Sequence, residues 1–307
     1  MADNTVIIQA AQKVAALGQR ARVVTDEGPL ARLDVFTHTT QGSIYLQGAH
    51  VARFHPRGGD EVLFISRQSR FERETPIRGG VPICFPWFGP KAGNPDAPAH
   101  GFARNTTWRL EELREIEQGN ILVEMALTNN PLDDELWPHA FELRFIAVFG
   151  RSLTMTLRTT NRNEPDGRAF TVESALHTYL NVGDIERVRI HGLENTEYID
   201  KVDGMKRKRQ PAERITFSGE TDRVYQNTHA SCVIMDDALD RRMTIDKAGS
   251  RSTVVWNPWT EKARRMADLG DDQWRNFVCV ETANAGECAV ALQPGQSHDM
   301  RAVIRIS

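Results

Sequence analysis

The segment FELRFIAVFGRSLTMTLRTTN, residues 141–161, alternates twice across one short turn. Phe141, Leu143, Phe145, Ala147 and Phe149 hold alternate positions before Gly150-Arg151-Ser152, and Leu153, Met155 and Leu157 do so after it. In an extended chain, side chains return to the same face every second residue. Two such runs joined by a short turn predict an antiparallel hairpin with one apolar face.

The same signal recurs in both directions. Strands are predicted within 42–54 and over 121–128, 187–192, 231–236, 243–247, 252–256, 277–281, 288–292 and 300–306. Helical spacing is confined to residues 5–20, through Val6, Ala10, Val14 and Leu17, and to 260–267, after Asn257-Pro258-Trp259. Many short strands with few helices predict an all-β antiparallel sandwich. No composition shift, linker or repeat divides the 307 residues, so one domain over 1–307 is expected.

Composition narrows the partners. The formal net charge is −3, which offers no global attraction to nucleic acid or to an anionic membrane. No apolar run approaches the ~20 residues of a membrane span. Cys84, Cys232, Cys279 and Cys288 show no CxxC or structural-zinc spacing. A reduced cytoplasm and a monomer are the expectations. The basic run Lys206-Arg207-Lys208-Arg209 reads as a solvated loop or hairpin tip.

Several segments carry groups suited to chemistry. In SALHTYLNVGD (174–184), Leu176 and Leu180 are expected to face a core, with His177 and Tyr179 on the opposite face. That imidazole suits a structural hydrogen bond or a catalytic acid. In IRGGVPICFPWFGP (77–90), Arg78 stands beside a glycine pair and Phe85, Trp87 and Phe88 supply aromatic surface. Aromatic planes fit the C–H faces of a sugar, and an arginine fork fits a phosphate; a packed crossing with Arg78 at its rim is equally compatible. AHGFARN (99–105) places His100 and Arg104 around Gly101-Phe102-Ala103, and TDRVY (221–225) holds Asp222. In FVCVETANAG (277–286), Glu281 continues the alternation of Phe277 and Cys279, an unusual place for a carboxylate unless it is paired or functional.

Taken in order, IRGGVPICFPWFGP, AHGFARN, SALHTYLNVGD, TDRVY, WNPW and FVCVETA resemble the bacterial D-hexose-6-phosphate mutarotases of the aldose 1-epimerase superfamily, across about residues 42–285. The resemblance implies a large antiparallel β-supersandwich of the galactose mutarotase-like type, with a few short helices. It also implies interconversion of the α and β anomers of a hexose 6-phosphate without a metal or organic cofactor. By motif, His177 and Glu281 are the implied catalytic pair. The resemblance also implies that Arg78 and Arg104 face the substrate and its phosphate and that His100 and Asp222 meet sugar hydroxyls or the ring oxygen. Ala99 departs from relatives that carry a polar residue just before the HGFAR histidine.

Anomer exchange requires O1 to lose a proton while O5 gains one. Glu281 as an ionised base and His177 as a protonated acid, on opposite sides of the C1–O5 unit, would supply both. Three rival readings are a carbohydrate-binding sandwich without catalysis, a mutarotase for unphosphorylated aldoses, and a glycosidase using Asp222 and Glu281 as a carboxylate pair.

Overall fold

A computed structural model describes residues 2–25, 28–129 and 135–307. The 141–161 hairpin forms as the alternation requires. Strand Phe141–Phe149 pairs antiparallel with Leu153–Asn161, in a register that sets Phe149 against Leu153 and Phe141 against Asn161. Phe141, Leu143, Phe145, Ala147 and Phe149 are buried, while the residues between them are partly exposed. Burying each large apolar side chain contributes roughly 1.5–3 kcal/mol.

That hairpin belongs to an eight-stranded sheet. Its order is Val188–His191, Cys232–Asp236, Arg241–Ala248, Ser297–Ile306, Leu153–Asn161, Phe141–Phe149, Ile121–Thr128 and Arg109–Glu115. A second sheet runs Lys206–Arg209, Glu197–Asp200, Thr221–Tyr225, Ser252–Asn257, Phe277–Asn284, Ser174–Leu176 and Ile83–Cys84, with Tyr179–Asn181 also paired to Phe277–Asn284. A four-stranded sheet over 21–56 and a two-stranded ribbon complete the set. All the registered strand pairs are antiparallel, and one apolar cluster reaches from Ala10 through Phe145 and Val280 to Ile304. No helix among the described residues is long and apolar enough to cross a membrane.

Four local expectations change. The 42–54 segment is two strands, Thr40–Tyr45 and His50–Pro56, because Gly48 and Ala49 take positive φ and turn the chain. The helices occupy Ala2–Ala15 and Trp259–Ala263, each ending before its predicted limit. The basic run is a strand, Lys206–Arg209, rather than a loop. It closes a hairpin against Glu197–Asp200 at the sheet edge, where Lys208 meets Asp200 and Asp203 and Arg207 and Arg209 meet Glu197. Charged side chains at an edge discourage further strand pairing. Finally, the 174–184 segment is interrupted at His177 and Thr178.

Candidate active site

The interruption positions the imidazole. Leu176 pairs with Thr282 and Tyr179 with Cys279, so one register continues across the gap. That register sets His177 across from Glu281. Between the two pairs, His177 N donates to Pro82 O at 2.9 Å and Thr178 N donates to Leu176 O at 2.8 Å. His177 is thereby tied to the proline-rich 77–90 segment rather than to the neighbouring ladder.

His177 Nδ1 lies 3.3 Å from Glu281 Oε1, with the carboxylate side chain only 1% exposed. Neither His177 Nδ1 nor either carboxylate oxygen has a hydrogen-bond partner among the described residues. The imidazole stacks on the Tyr179 ring, centroids 4.8 Å apart at 11°, and meets the edges of Trp256 and His100. Aromatic packing on several sides limits the ring's rotation.

The two arginines enter from different segments. Arg78 Nη1 donates to Tyr179 Oη at 2.9 Å and Nε donates to Asp268 Oδ2 at 3.1 Å. Tyr179 therefore touches both Arg78 and the His177 ring. Arg104 Nη2 donates to Ala99 O at 2.6 Å, while its Nε has no partner. No carboxylate among the described residues forms an ion pair with Arg104. The turn that carries it depends on Gly101, whose φ is +76° and where a Cβ would fall 1.8 Å from Phe85 O.

His100 Nδ1 accepts from Gly89 N at 3.3 Å, which leaves the proton of the neutral ring on Nε2. Asp222 is buried and pairs with Lys201 Nζ at 3.1 Å, with Lys262 Nζ farther away at 3.9 Å. The neighbouring strand sets Asp222 beside Trp256. All six residues singled out in the sequence thus gather around one sheet face. The sequence reading did not single out Tyr179, Lys201 or Asp268 for the site. Tyr179 shares the His177 alternation, but Lys201 and Asp268 lie outside every segment that drew attention.

Electrostatics shapes the pair. Burial pushes the Glu281 pKa well above the carboxyl range, and nearby Asp222 adds to the rise while Lys201 opposes it. Burial pushes the His177 pKa well down, helped by His100, Arg104 and Arg78. Burial thus opposes the charge-separated pair expected from sequence, while the 3.3 Å approach of the two groups favours it. A carboxylic acid beside a neutral imidazole and a carboxylate beside an imidazolium hold the same number of protons. Burial also lowers His100, with Arg104, Lys201 and Arg78 reinforcing it. For Arg78, Tyr179 and Asp268 outweigh burial and raise the pKa, whereas burial lowers that of Arg104.

His177, Cys279 and Glu281 bring nitrogen, sulfur and oxygen donors within 4.8 Å of one another. Zinc accepts such donors once the thiol is deprotonated, as coordination itself brings about.

The chain is similar to several known proteins. A curated relative from Escherichia coli K12, assigned the name glucose-6-phosphate 1-epimerase, is 39% identical over 258 residues, covering 84% of each chain. Another from Cenchrus ciliaris, with the same assigned name, is 38% identical over 259 residues, covering 82% of this chain and 77% of its own. The crystal structure of YeaD from Salmonella typhimurium, described as a mutarotase by assignment, superposes with a TM-score of 0.84 at 32% identity, covering 94% of this chain and 97% of that one. The aldose 1-epimerase family profile matches residues 35–305. This chain belongs to the aldose 1-epimerase family.

Proposed function

We propose that the protein interconverts the α and β anomers of hexose 6-phosphates, glucose 6-phosphate foremost, by opening and reclosing the ring. The observation that carries the reading is the buried His177–Glu281 pair, 3.3 Å apart, whose Nδ1 and carboxylate oxygens have no hydrogen-bond partner among the described residues. Leaving such groups unpaired in a folded protein is costly, and a substrate that pairs with both removes the cost. O1 and O5 of a pyranose are bonded to the same carbon, so two adjacent groups on one wall can address them together. The pair therefore works side by side rather than from opposite sides of the sugar.

Glu281 takes the O1 proton and His177 delivers one to O5. The open aldehyde then turns about C1–C2, and closure on the other carbonyl face reverses the transfers. Arg78 and Arg104 supply the phosphate site. Arg104 is partly buried with a carbonyl as its only polar partner among the described residues, which leaves a positive charge available to an anion. A bound phosphate dianion cancels the two cations that help hold the His177 pKa down. Cancelling them favours a protonated His177, the form that the first step requires. Asp222 and His100 receive sugar hydroxyls. Free, buried cysteines suit a reduced compartment, and we place the enzyme in the cytoplasm as a monomer of one domain acting on a small sugar phosphate.

The test is anomer exchange measured by NMR with glucose 6-phosphate and with glucose. A kcat/KM at least tenfold higher for the phosphate supports the reading. Equal values make the protein a mutarotase for unphosphorylated aldoses, and no exchange with either leaves a binding protein.

A further inference from the structure

The Asp222 carboxylate and the Lys201 ammonium form a matched acceptor and donor at the edge of the cleft. Their charged atoms are 3.1 Å apart, with side-chain exposures of 10% and 28%. Lys201 lies just after strand Glu197–Asp200, and its backbone N donates to Asp222 O at 2.9 Å. Backbone and side chain are thus both tied to the same residue. The ammonium also lies 5.5 Å from the centroid of the Phe88 ring, on the segment that includes Arg78. Lys262, the other cation near Asp222, is engaged by Glu220 at 2.7 Å.

An ammonium has three N–H donors, and among the described residues Asp222 is its only hydrogen-bonding or ion-pair partner. A carboxylate retains lone pairs beyond the one facing the ammonium. Neighbouring hydroxyls on a pyranose present a donor and an acceptor at a similar separation. One hydroxyl donates to Asp222 while its neighbour accepts from Lys201, and each bond involves a charged partner. Inverting one of the two carbons moves its oxygen out of reach and leaves a charged group without its bond.

We propose that Lys201 and Asp222 form a clamp for two vicinal hydroxyls of the sugar, with Lys201 as the residue that makes the enzyme sensitive to ring stereochemistry. The proposal rests on the hexose-phosphate reading of the same cleft and assigns the ring contacts that accompany it.

The test compares glucose 6-phosphate with its 2-, 3- and 4-epimers, using wild-type protein, Lys201→Met and Lys201→Arg. Anomer exchange and calorimetric binding are both measured, so that a clamp without catalysis is still detected. The wild type should favour glucose 6-phosphate over at least one epimer by about ten- to a hundredfold, the usual weight of a hydrogen bond to a charged group. Lys201→Met should reduce that preference to within a few-fold while leaving the melting temperature near the wild-type value, and Lys201→Arg should restore part of it. Three results would overturn the clamp. These are a wild type indifferent to all three inversions, a Lys201→Met variant with the preference intact, and an equal loss on every phosphorylated sugar with none on glucose. The last would make Lys201 a phosphate ligand. Clamp-dependent binding without anomer exchange would instead count against the catalytic reading alone.

Discussion

His177 and Glu281 occupy facing positions of one antiparallel register although 104 positions separate them in the chain, and the imidazole Nδ1 stands 3.3 Å from the carboxylate. Both are buried, and the environment of each favours its uncharged form. Function and stability therefore make opposing demands on this pair.

Stability gives the first prediction. Folding raises the Glu281 pKa, so the folded protein holds that proton more tightly than the unfolded chain. Stability from this group is present below the ordinary value of 4.5 and is lost as pH rises through the folded value. Glu281→Gln removes the loss and should stabilise the protein by about 1–3 kcal/mol at pH 8. The gain should shrink towards pH 4. Equilibrium unfolding at both pH values measures it, and equal stability at pH 8 would refute the strained-carboxylate account.

The His177 ring should titrate below 6.5 in the sugar-free protein, because burial comes first and His100, Arg104 and Arg78 add to it. Arg104→Gln removes one positive neighbour and should move the transition upward. NMR titration of the His177 ring proton follows both values directly. A wild-type transition above 6.5, or no shift in the variant, contradicts this electrostatic picture.

Arg104→Met should lower kcat/KM for glucose 6-phosphate by about ten- to a hundredfold, the weight of a charge-assisted bond to phosphate. Activity on glucose should not fall, since losing this cation also favours the protonated imidazole. An equal loss on both sugars would show that Arg104 supports the cleft rather than the phosphate.

Gly101→Ala should prevent normal folding or lower the melting temperature sharply, since the added Cβ meets the Phe85 carbonyl at 1.8 Å. Gly58→Ala is the control. Its φ of +79° carries a similar backbone cost, about 1–2 kcal/mol, but nothing lies within 4 Å of its Cβ. Similar melting temperatures for the two variants would remove steric closeness as the reason for glycine in the Arg104 turn.

Much of the sheet framework was legible because alternation is local. Phe141 to Phe149 announce a buried face without knowledge of any partner strand, and Glu281 stands out by occupying the same alternation as Phe277 and Cys279. The break at His177 was not legible. There Pro82, 95 positions away, accepts from His177 N but has no N–H to return a bond, and periodicity carries no record of such a contact. The Arg78–Asp268 bond spans 190 positions and was hidden for the same reason. Lys201 lay outside every segment that drew attention, and only the sheet sets it beside Asp222. The basic run, read as a solvated loop or hairpin tip, is exposed and lies in a hairpin, but as its edge strand, where Glu197, Asp200 and Asp203 pair with its charges.

The central claim concerns proton exchange by two adjacent side chains, and the most direct measurement is the enzyme-dependent anomerisation rate of glucose 6-phosphate. NMR exchange spectroscopy would compare wild type with folded His177→Ala, Glu281→Gln and double variants. Each single variant should lose about 10²–10⁴-fold, and the double variant should fall little further, because the two groups act as one unit. Near-normal exchange in either folded single variant would contradict the account.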